Sequence, residues 1–509
     1  MFPSDLGDVT GELSIFRQQT DNTPPRYSTR AEYPSKVLIR GTPEYERCRQ
    51  NNPSADTPSR YPQEIHVVET PNDVSIALKR ATELGVPVGV RSSGHIFNLP
   101  NLIDGGILID TTNLNRSIEY DSITEEICFG PACRVEELAA RLKDINRFFP
   151  HGHAPTVGSG GFLLAGGQGW FVRGWGATNQ TWINKIEMVV PDGRTVIASR
   201  TENRDLFWAA RGSGLGFFGV VTRFWGRTIK TSLMWERILK FNINSDNYMA
   251  LMSWAIERGR DTPKYGTDLN LTIDYPEKYD PSYTTDAIPI NGKLTMSLNL
   301  LCYTDTIREA RTLLSAYDKM TPEVQAALLE MHPVQSRTVE QVFARKRRFL
   351  GNDSKDRWQI NSIMNDPDVP LERLLEAIKP AMLELPTRTS SVFMCHCDIV
   401  PDEEDAALSL PQDLYISTIT GWTDPRMEPA IYQPMRDRYR RAFPVAVGMY
   451  ITELDVNCDD ANTKVMSDTA LAKFLKIREK WDPKELFPNY KKFVKAHDKI
   501  NRLQNKAQL

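Results

Sequence analysis

The stretch Arg91-Ser92-Ser93-Gly94-His95 constrains this chain most, because of what surrounds it. Val86-Pro87-Val88-Gly89-Val90, just before it, reads as a short buried strand. Upstream, Glu64-Ile65-His66-Val67-Val68-Glu69 reads as another strand. Between the two, Asn72 is placed to cap a helix from Val74 to Leu84 that Gly85 closes. The prediction is a β-α-β unit with a glycine loop at its exit. Two more glycine-dense segments follow. One is Pro155-Thr156-Val157-Gly158-Ser159-Gly160-Gly161, continuing to Gly166-Gly167-Gln168-Gly169. The other is Arg211-Gly212-Ser213-Gly214-Leu215-Gly216-Phe217-Phe218-Gly219. Glycine lets backbone amides approach a ligand closely, and successive amides form anion-binding concavities. One such loop alone would be a turn. Three in one region predict a phosphate-bearing cofactor held by backbone, with the His95 imidazole offered to it.

Further strands are expected at Ile107–Asp110 and Glu125–Gly130, with an amphipathic helix from Val135 to Leu142. Ile183–Val190, the turn Pro191-Asp192-Gly193 and Thr195–Ala198 read as a hairpin. Residues 1–60 are proline-rich and polar and read as an irregular arm with one short helix. From about residue 232 the pattern changes. Strand-like stretches at Leu269–Ile273, Leu294–Tyr303, Ser391–Val400, Leu414–Gly421 and Val445–Leu454 alternate with helical ones, such as Ile307–Lys319 and Leu371–Lys379. They predict a second domain with a broad antiparallel sheet. Ala470–Lys480 reads as a helix stopped at Trp481-Asp482-Pro483.

With 509 residues there is room for two or three domains and a large core. A net charge of −3 and the lack of a basic stripe argue against a nucleic-acid partner. No apolar run is long enough to span a bilayer. Seven scattered cysteines without a CxxC pair, and a start without a basic or apolar leader, predict reduced thiols and a cytoplasmic location, unless a signal peptide has been removed.

Several tempting motifs fail on context. Gly214-Leu215-Gly216-Phe217-Phe218-Gly219 has the G-x-G-x-x-G spacing, but Val220–Trp225 after it reads as a strand, where a dinucleotide site needs a helix. His151-Gly152-His153 and Cys395-His396-Cys397 lack a second converging pair, so no metal is expected. In a strand, Cys395 and Cys397 share one face and His396 and Asp398 the other, with burial of the cysteines the plain expectation.

Taken in order, the β-α-β unit leading to Arg91–His95, the Pro155–Gly161 segment, Asp205-Leu206-Phe207-Trp208-Ala209-Ala210-Arg211-Gly212 and Phe218-Gly219-Val220-Val221 resemble the vanillyl-alcohol oxidase/p-cresol methylhydroxylase flavoprotein superfamily, and within it the berberine-bridge-enzyme-like branch. Lys480-Trp481-Asp482-Pro483-Lys484-Glu485-Leu486-Phe487 resembles that branch's closing segment. The resemblance implies an α+β fold. Residues 1–230 would be a two-subdomain FAD-binding domain with its arm, 231–460 a substrate domain with a broad antiparallel sheet covered by helices, and 461–509 a segment returning to the flavin domain.

It further implies FAD held by Arg91, Ser92, Ser93, Gly94, His95, Pro155, Thr156, Val157, Gly158, Gly160, Gly161, Gly219 and Val220, with His95 bonded covalently to the flavin 8α-methyl carbon. Many members of the branch carry a second link from a cysteine where this chain has Ala154, so a single bond is expected. Phe162 replaces a polar residue of many relatives. Val157 is a small residue at a position associated with dioxygen access. Tyr450 or His153 would take a proton while hydride passes from a small aromatic alcohol or amine to the flavin, and dioxygen would be reduced to hydrogen peroxide. A dehydrogenase using another acceptor, and a flavin-binding protein without turnover, are the alternatives. Monomer and homodimer are both compatible with the sequence.

Overall fold

A computed structural model of the protein describes residues 32–33, 36–280, 286–288, 292–347 and 356–507. Residues 1–31 of the expected arm lie outside them. The rest of the arm carries a strand and a helix, β1 (Val37–Ile39) and Pro43–Arg49. β1 pairs with β2 (Glu64–Val67), which runs parallel to β4 (Ile107–Asp110), itself parallel to β3 (Val88–Arg91). The β-α-β unit is therefore present, with two shifts from the sequence reading. The helix is Pro71–Leu84, and its cap is Thr70, whose hydroxyl and Asp73 form a reciprocal capping box. β3 begins at Val88, after Pro87, and carries Arg91 as its last residue. Gly85 ends the helix at φ +65°, as expected. The helix buries Val74, Ala77, Leu78 and Ala81, each larger side chain contributing about 1.5–3 kcal/mol.

A second, antiparallel sheet has the order β5-β6-β10-β8-β9, with β5 (Ile118–Asp121), β6 (Glu126–Phe129), β8 (Ile183–Val189), β9 (Thr195–Ser199) and β10 (Val220–Arg227). β8 and β9 are the predicted hairpin. Short strands β7 (Arg147–Phe148) and β11 (Ile229–Lys230) pair beside it.

The larger sheet is antiparallel, with the order β15-β12-β14-β13-β18-β19-β17-β20 and β16 paired to β12. Its members are β12 (Met234–Ile243), β13 (Thr267–Asp274), β14 (Leu294–Tyr303), β15 (Leu328–Met331), β16 (Gln335–Arg337), β17 (Arg357–Asn365), β18 (Ser391–Ile399), β19 (Gln412–Trp422) and β20 (Ala446–Gly448). Strand alternation decides its two faces. Leu269, Leu271 and Ile273 on β13, and Met296, Leu298 and Leu300 on β14, pack in one core with Leu251, Leu374, Ile378 and Met435 of the helices Tyr248–Asp261, Leu371–Leu383 and Glu428–Ala442. The intervening residues are polar and turn the other way.

Two sequence readings are corrected here. Val445–Leu454 is not one strand: only Ala446–Gly448 pairs, flanked by 3-10 turns at Phe443–Val445 and Ile451–Glu453. Backbone crowding at Gly448, where a Cβ would fall 2.3 Å from the Lys464 carbonyl, shows how tightly this passage is held. The helix expected over Ile307–Lys319 breaks after Leu313, with a 3-10 turn over Ser315–Asp318.

The C-terminal segment folds back on the first half. The Val88 amide donates to the Leu486 carbonyl at 2.7 Å, the Trp481 indole donates to Asp205 at 2.9 Å, and Phe474 packs against Phe218. Among the described residues no helix is long and apolar enough to cross a membrane.

Candidate active site

The polar face of the large sheet is separated from the glycine loops by a cavity of about 810 Å3. Its floor is backbone. Gly94 sits at φ +71°, and a Cβ there would lie 2.9 Å from the Asn51 carbonyl. A Cβ on Gly158 would strike the Ser93 side chain at 2.6 Å, and the Gly158 amide donates to Ser93 Oγ at 2.9 Å. The first two glycine loops thus interlock. Gly161, also at the cavity wall, has open space where a side chain would be.

Of the expected cofactor residues, Arg91 to His95, Pro155 to Gly158, Gly160, Gly161 and Gly219 all line this cavity. Val220 is the exception. It is fully buried in the core of the first half, while its neighbours Gly219 and Val221 face the cavity. Strand alternation turns it away. Arg91 lines the cavity but its guanidinium turns from it, donating through Nε to Asp110 Oδ2 at 2.9 Å and through Nη2 to the Cys48 carbonyl at 2.8 Å. It braces the loop from behind.

His95 borders the cavity with its Nε2 3.1 Å from Thr156 Oγ1. Burial, reinforced by the Arg134 guanidinium, pushes its imidazole down to about 4, so the ring is neutral at pH 7. Ala154 lines the cavity without a nucleophile. Cys133, the other thiol near this segment, is buried, and burial pushes it up to about 11. Phe162 presents an apolar wall and packs over Gly152 and Gly167.

His153 also lines the cavity. Its Nε2 is 2.8 Å from Oδ2 of Asp268, on β13, and that oxygen accepts a second bond from the Phe171 amide at 2.9 Å. His151 lies apart from the cavity among Phe148, Trp170 and Phe343. Cys395 and Cys397 share a buried face of β18, with their sulfurs 3.5 Å apart. Tyr450 reaches the cavity from the turn that replaces the expected strand. Burial, with Glu453 adding to it, holds its phenol well above the usual range, so it stays protonated.

The sequence reading missed two features. Asp268, Asn270, Thr272 and Asp274 alternate with leucines and isoleucine along β13, and the last three line the cavity with Ser297 and Asn299 of β14. That period-two pattern was visible in the sequence. Tyr415 and Glu453 meet at the cavity wall, the Tyr415 hydroxyl donating to Glu453 Oε1. Burial pushes the Glu453 carboxyl up to about 7. Nothing local in the sequence announces this pair.

Residues 62–199 match a protein-family model described as an FAD binding domain. Over 458 residues the chain is 24% identical to the FAD-linked oxidoreductase nodO of Hypoxylon pulicicidum, an alignment covering 88% of this chain and 95% of that protein. Among solved structures, 6-hydroxy-D-nicotine oxidase from Arthrobacter nicotinovorans superposes with a TM-score of 0.73 at 16% identity, covering 90% of this chain and 97% of that one. The BBE-like 1 protein of Physcomitrella patens gives a TM-score of 0.73 at 18% identity, covering 89% and 95%.

Proposed function

This chain is an FAD-linked oxidoreductase with the fold of the vanillyl-alcohol oxidase superfamily's berberine-bridge-enzyme-like flavoproteins, and from that premise we propose that it is an oxidase of small aromatic alcohols or amines. One observation carries the reading: a glycine-floored cradle with a neutral histidine at its edge opens into the same cavity as a polar sheet face and aromatic walls. In this reading residues 1–230 and 461–509 form the flavin domain and 231–460 the substrate domain. FAD, when bound, accepts hydride from the substrate and passes the electrons to dioxygen, giving hydrogen peroxide.

The protein's own part is to hold and orient. The loops at Arg91–His95 and Pro155–Gly161 carry the cofactor, and His95, uncharged, has a lone pair for a covalent bond to the 8α-methyl carbon. With alanine at 154 and Cys133 turned into the core, that bond is single. Phe393, Tyr415 and Phe162 flank an aromatic substrate. The Tyr450 phenol, kept protonated, donates to the reacting oxygen or nitrogen, and His153, its Nε2 tied to Asp268, lines the same cavity.

A screen of aromatic alcohols and amines, read by peroxide release and by anaerobic bleaching of the flavin, tests this function. Bleaching with peroxide supports it. Bleaching that only an artificial acceptor dye reverses makes the protein a dehydrogenase. A bound flavin that no compound bleaches favours a binding protein without turnover.

Val157 gives a local test of dioxygen use. It is small and lines the cavity beside the cofactor loop. Val157→Leu is expected to slow reoxidation of the reduced flavin at least ~10-fold, about 1.4 kcal/mol of barrier, with a smaller effect on its reduction. Stopped-flow mixing with oxygenated buffer measures both half-reactions. A fall confined to reduction would place Val157 in the substrate pocket instead.

A further inference from the structure

Glu453 stands out among the buried groups to which the proposed function assigns no role. It closes the turn Ile451–Glu453, is only 7% exposed, and lines the cavity. Oε1 accepts the Tyr415 hydroxyl. Oε2 is buried and makes no well-formed hydrogen bond, with the Ser362 hydroxyl the protein donor that faces the carboxyl. No cation forms an ion pair with the carboxyl among the described residues either. What faces it is phenolic or neutral: Tyr415 from β19, Tyr439 from the helix Glu428–Ala442, Tyr450 from its own turn, and the Ser362 hydroxyl from β17. The Cys395 and Cys397 thiols lie behind the two cavity tyrosines. The neighbouring Asp455 is engaged by Arg436 at 2.6 Å.

A buried carboxylate oxygen without a donor is costly, by an amount comparable to a lost charged hydrogen bond. Three conditions relieve it: rotation of the facing Ser362 hydroxyl onto the oxygen, a proton on the carboxyl, or a donor brought by a ligand. An alcohol O–H or an amine N–H entering the cavity is such a donor.

We propose that Glu453 is the catalytic base that takes the substrate's O–H or N–H proton, with Tyr415 as the residue that positions its carboxyl. The proposal rests on the oxidase reading above and names the proton acceptor that reading leaves open. In the step, the substrate O–H bond breaks and an O–H bond to Oε2 forms. The adjacent C–H bond breaks with its electron pair leaving as hydride to the flavin, and a carbonyl remains. For an amine the N–H proton takes the same route and an imine remains. The carboxyl's displacement to about 7 by burial matches a base poised near neutral pH. Tyr450 is the poorer acceptor, because its phenol is displaced upward and can only donate at that pH.

Two measurements on the FAD-loaded protein test this. The first is an infrared difference spectrum between about pH 5 and about pH 9, which brackets a carboxyl titrating near neutrality. Wild type should lose the carbonyl stretch of a protonated carboxyl with a midpoint near 7, and Glu453→Gln should lack that change. The second is anaerobic flavin reduction by the best compound of the peroxide screen. Its rate should rise with pH through the same midpoint, since the base must be ionised. Glu453→Gln should cut it at least ~100-fold while flavin content and reoxidation are retained. Tyr415→Phe removes a donor to the carboxylate and should move the midpoint upward.

A carboxyl band unchanged in Glu453→Gln overturns the proposal, as does an undiminished reduction rate. So does a pH midpoint that disappears with His153→Gln rather than with Glu453→Gln. Failure of the oxidase reading itself shows separately, as a protein without flavin or without any bleaching compound. The infrared measurement decides on Glu453 in the latter case too.

Discussion

Asp110→Ala is expected to destabilise the first half of the protein by about 3–5 kcal/mol, the usual result of removing one partner of a buried ion pair. Arg91 and Asp110 face each other in register on the parallel strands β3 and β4, and their side chains are 1% and 0% exposed. The carboxylate accepts from Arg91 Nε at 2.9 Å, from the Thr112 amide at 2.8 Å and from the Cys48 thiol at 3.6 Å. Alanine leaves the guanidinium in the core without a carboxylate, facing the Cys48 and Arg49 carbonyls and the Cys48 sulfur. Asp110→Asn, which keeps an acceptor for Thr112, should fall between. Because Arg91 opens the cofactor loop, the loss should appear twice, as a lower urea midpoint and as weaker FAD retention. A midpoint within error of wild type would mean that the pair is dispensable and the loop is braced elsewhere.

His95→Ala is expected to convert flavin that stays with the acid-precipitated protein into flavin released to the supernatant. Burial and Arg134 keep the imidazole neutral, so the ring keeps an unprotonated nitrogen for bond formation, with Nε2 3.1 Å from Thr156 Oγ1. The substitution removes that nitrogen and leaves the glycine floor, so the folded variant should still bind FAD and remain yellow before acid is added. Yellow supernatant from wild type would contradict covalent attachment through His95. Peptide mapping of the wild-type pellet supplies the second check: one flavinylated peptide, containing residue 95, is expected, and a flavinylated cysteine peptide would refute the single link.

Much of the glycine-loop side of the cavity was legible in the sequence. Glycine at 94 and at 158 answers a local requirement, a positive φ in one case and contact with Ser93 in the other, and such requirements leave their mark residue by residue. The hairpin of β8 and β9, the helix closed by Gly85 and the strands β13, β14, β18 and β19 were readable for the same reason. β12 and β17 escaped notice because both their faces are largely buried and charged or amide side chains such as Glu236, Arg237 and Gln359 interrupt their apolar pattern. The side chain of Val220 turns into the core because it lies on the strand that follows the loop, where alternate residues face opposite ways.

The chain's local chemistry therefore determined where the backbone makes its glycine-dense bends and that His95 stands in the first of them. The tertiary structure alone decided which side chains meet at the cavity. His153 finds Asp268 across 115 residues, and Glu453 finds Tyr415 across 38. Those partners belong to different elements, and what sets the carboxyl of Glu453 apart from an ordinary glutamate is exclusion of water by β17, β19 and the helix Glu428–Ala442. Burial is a property of how those elements stack, and no stretch of neighbouring residues encodes it.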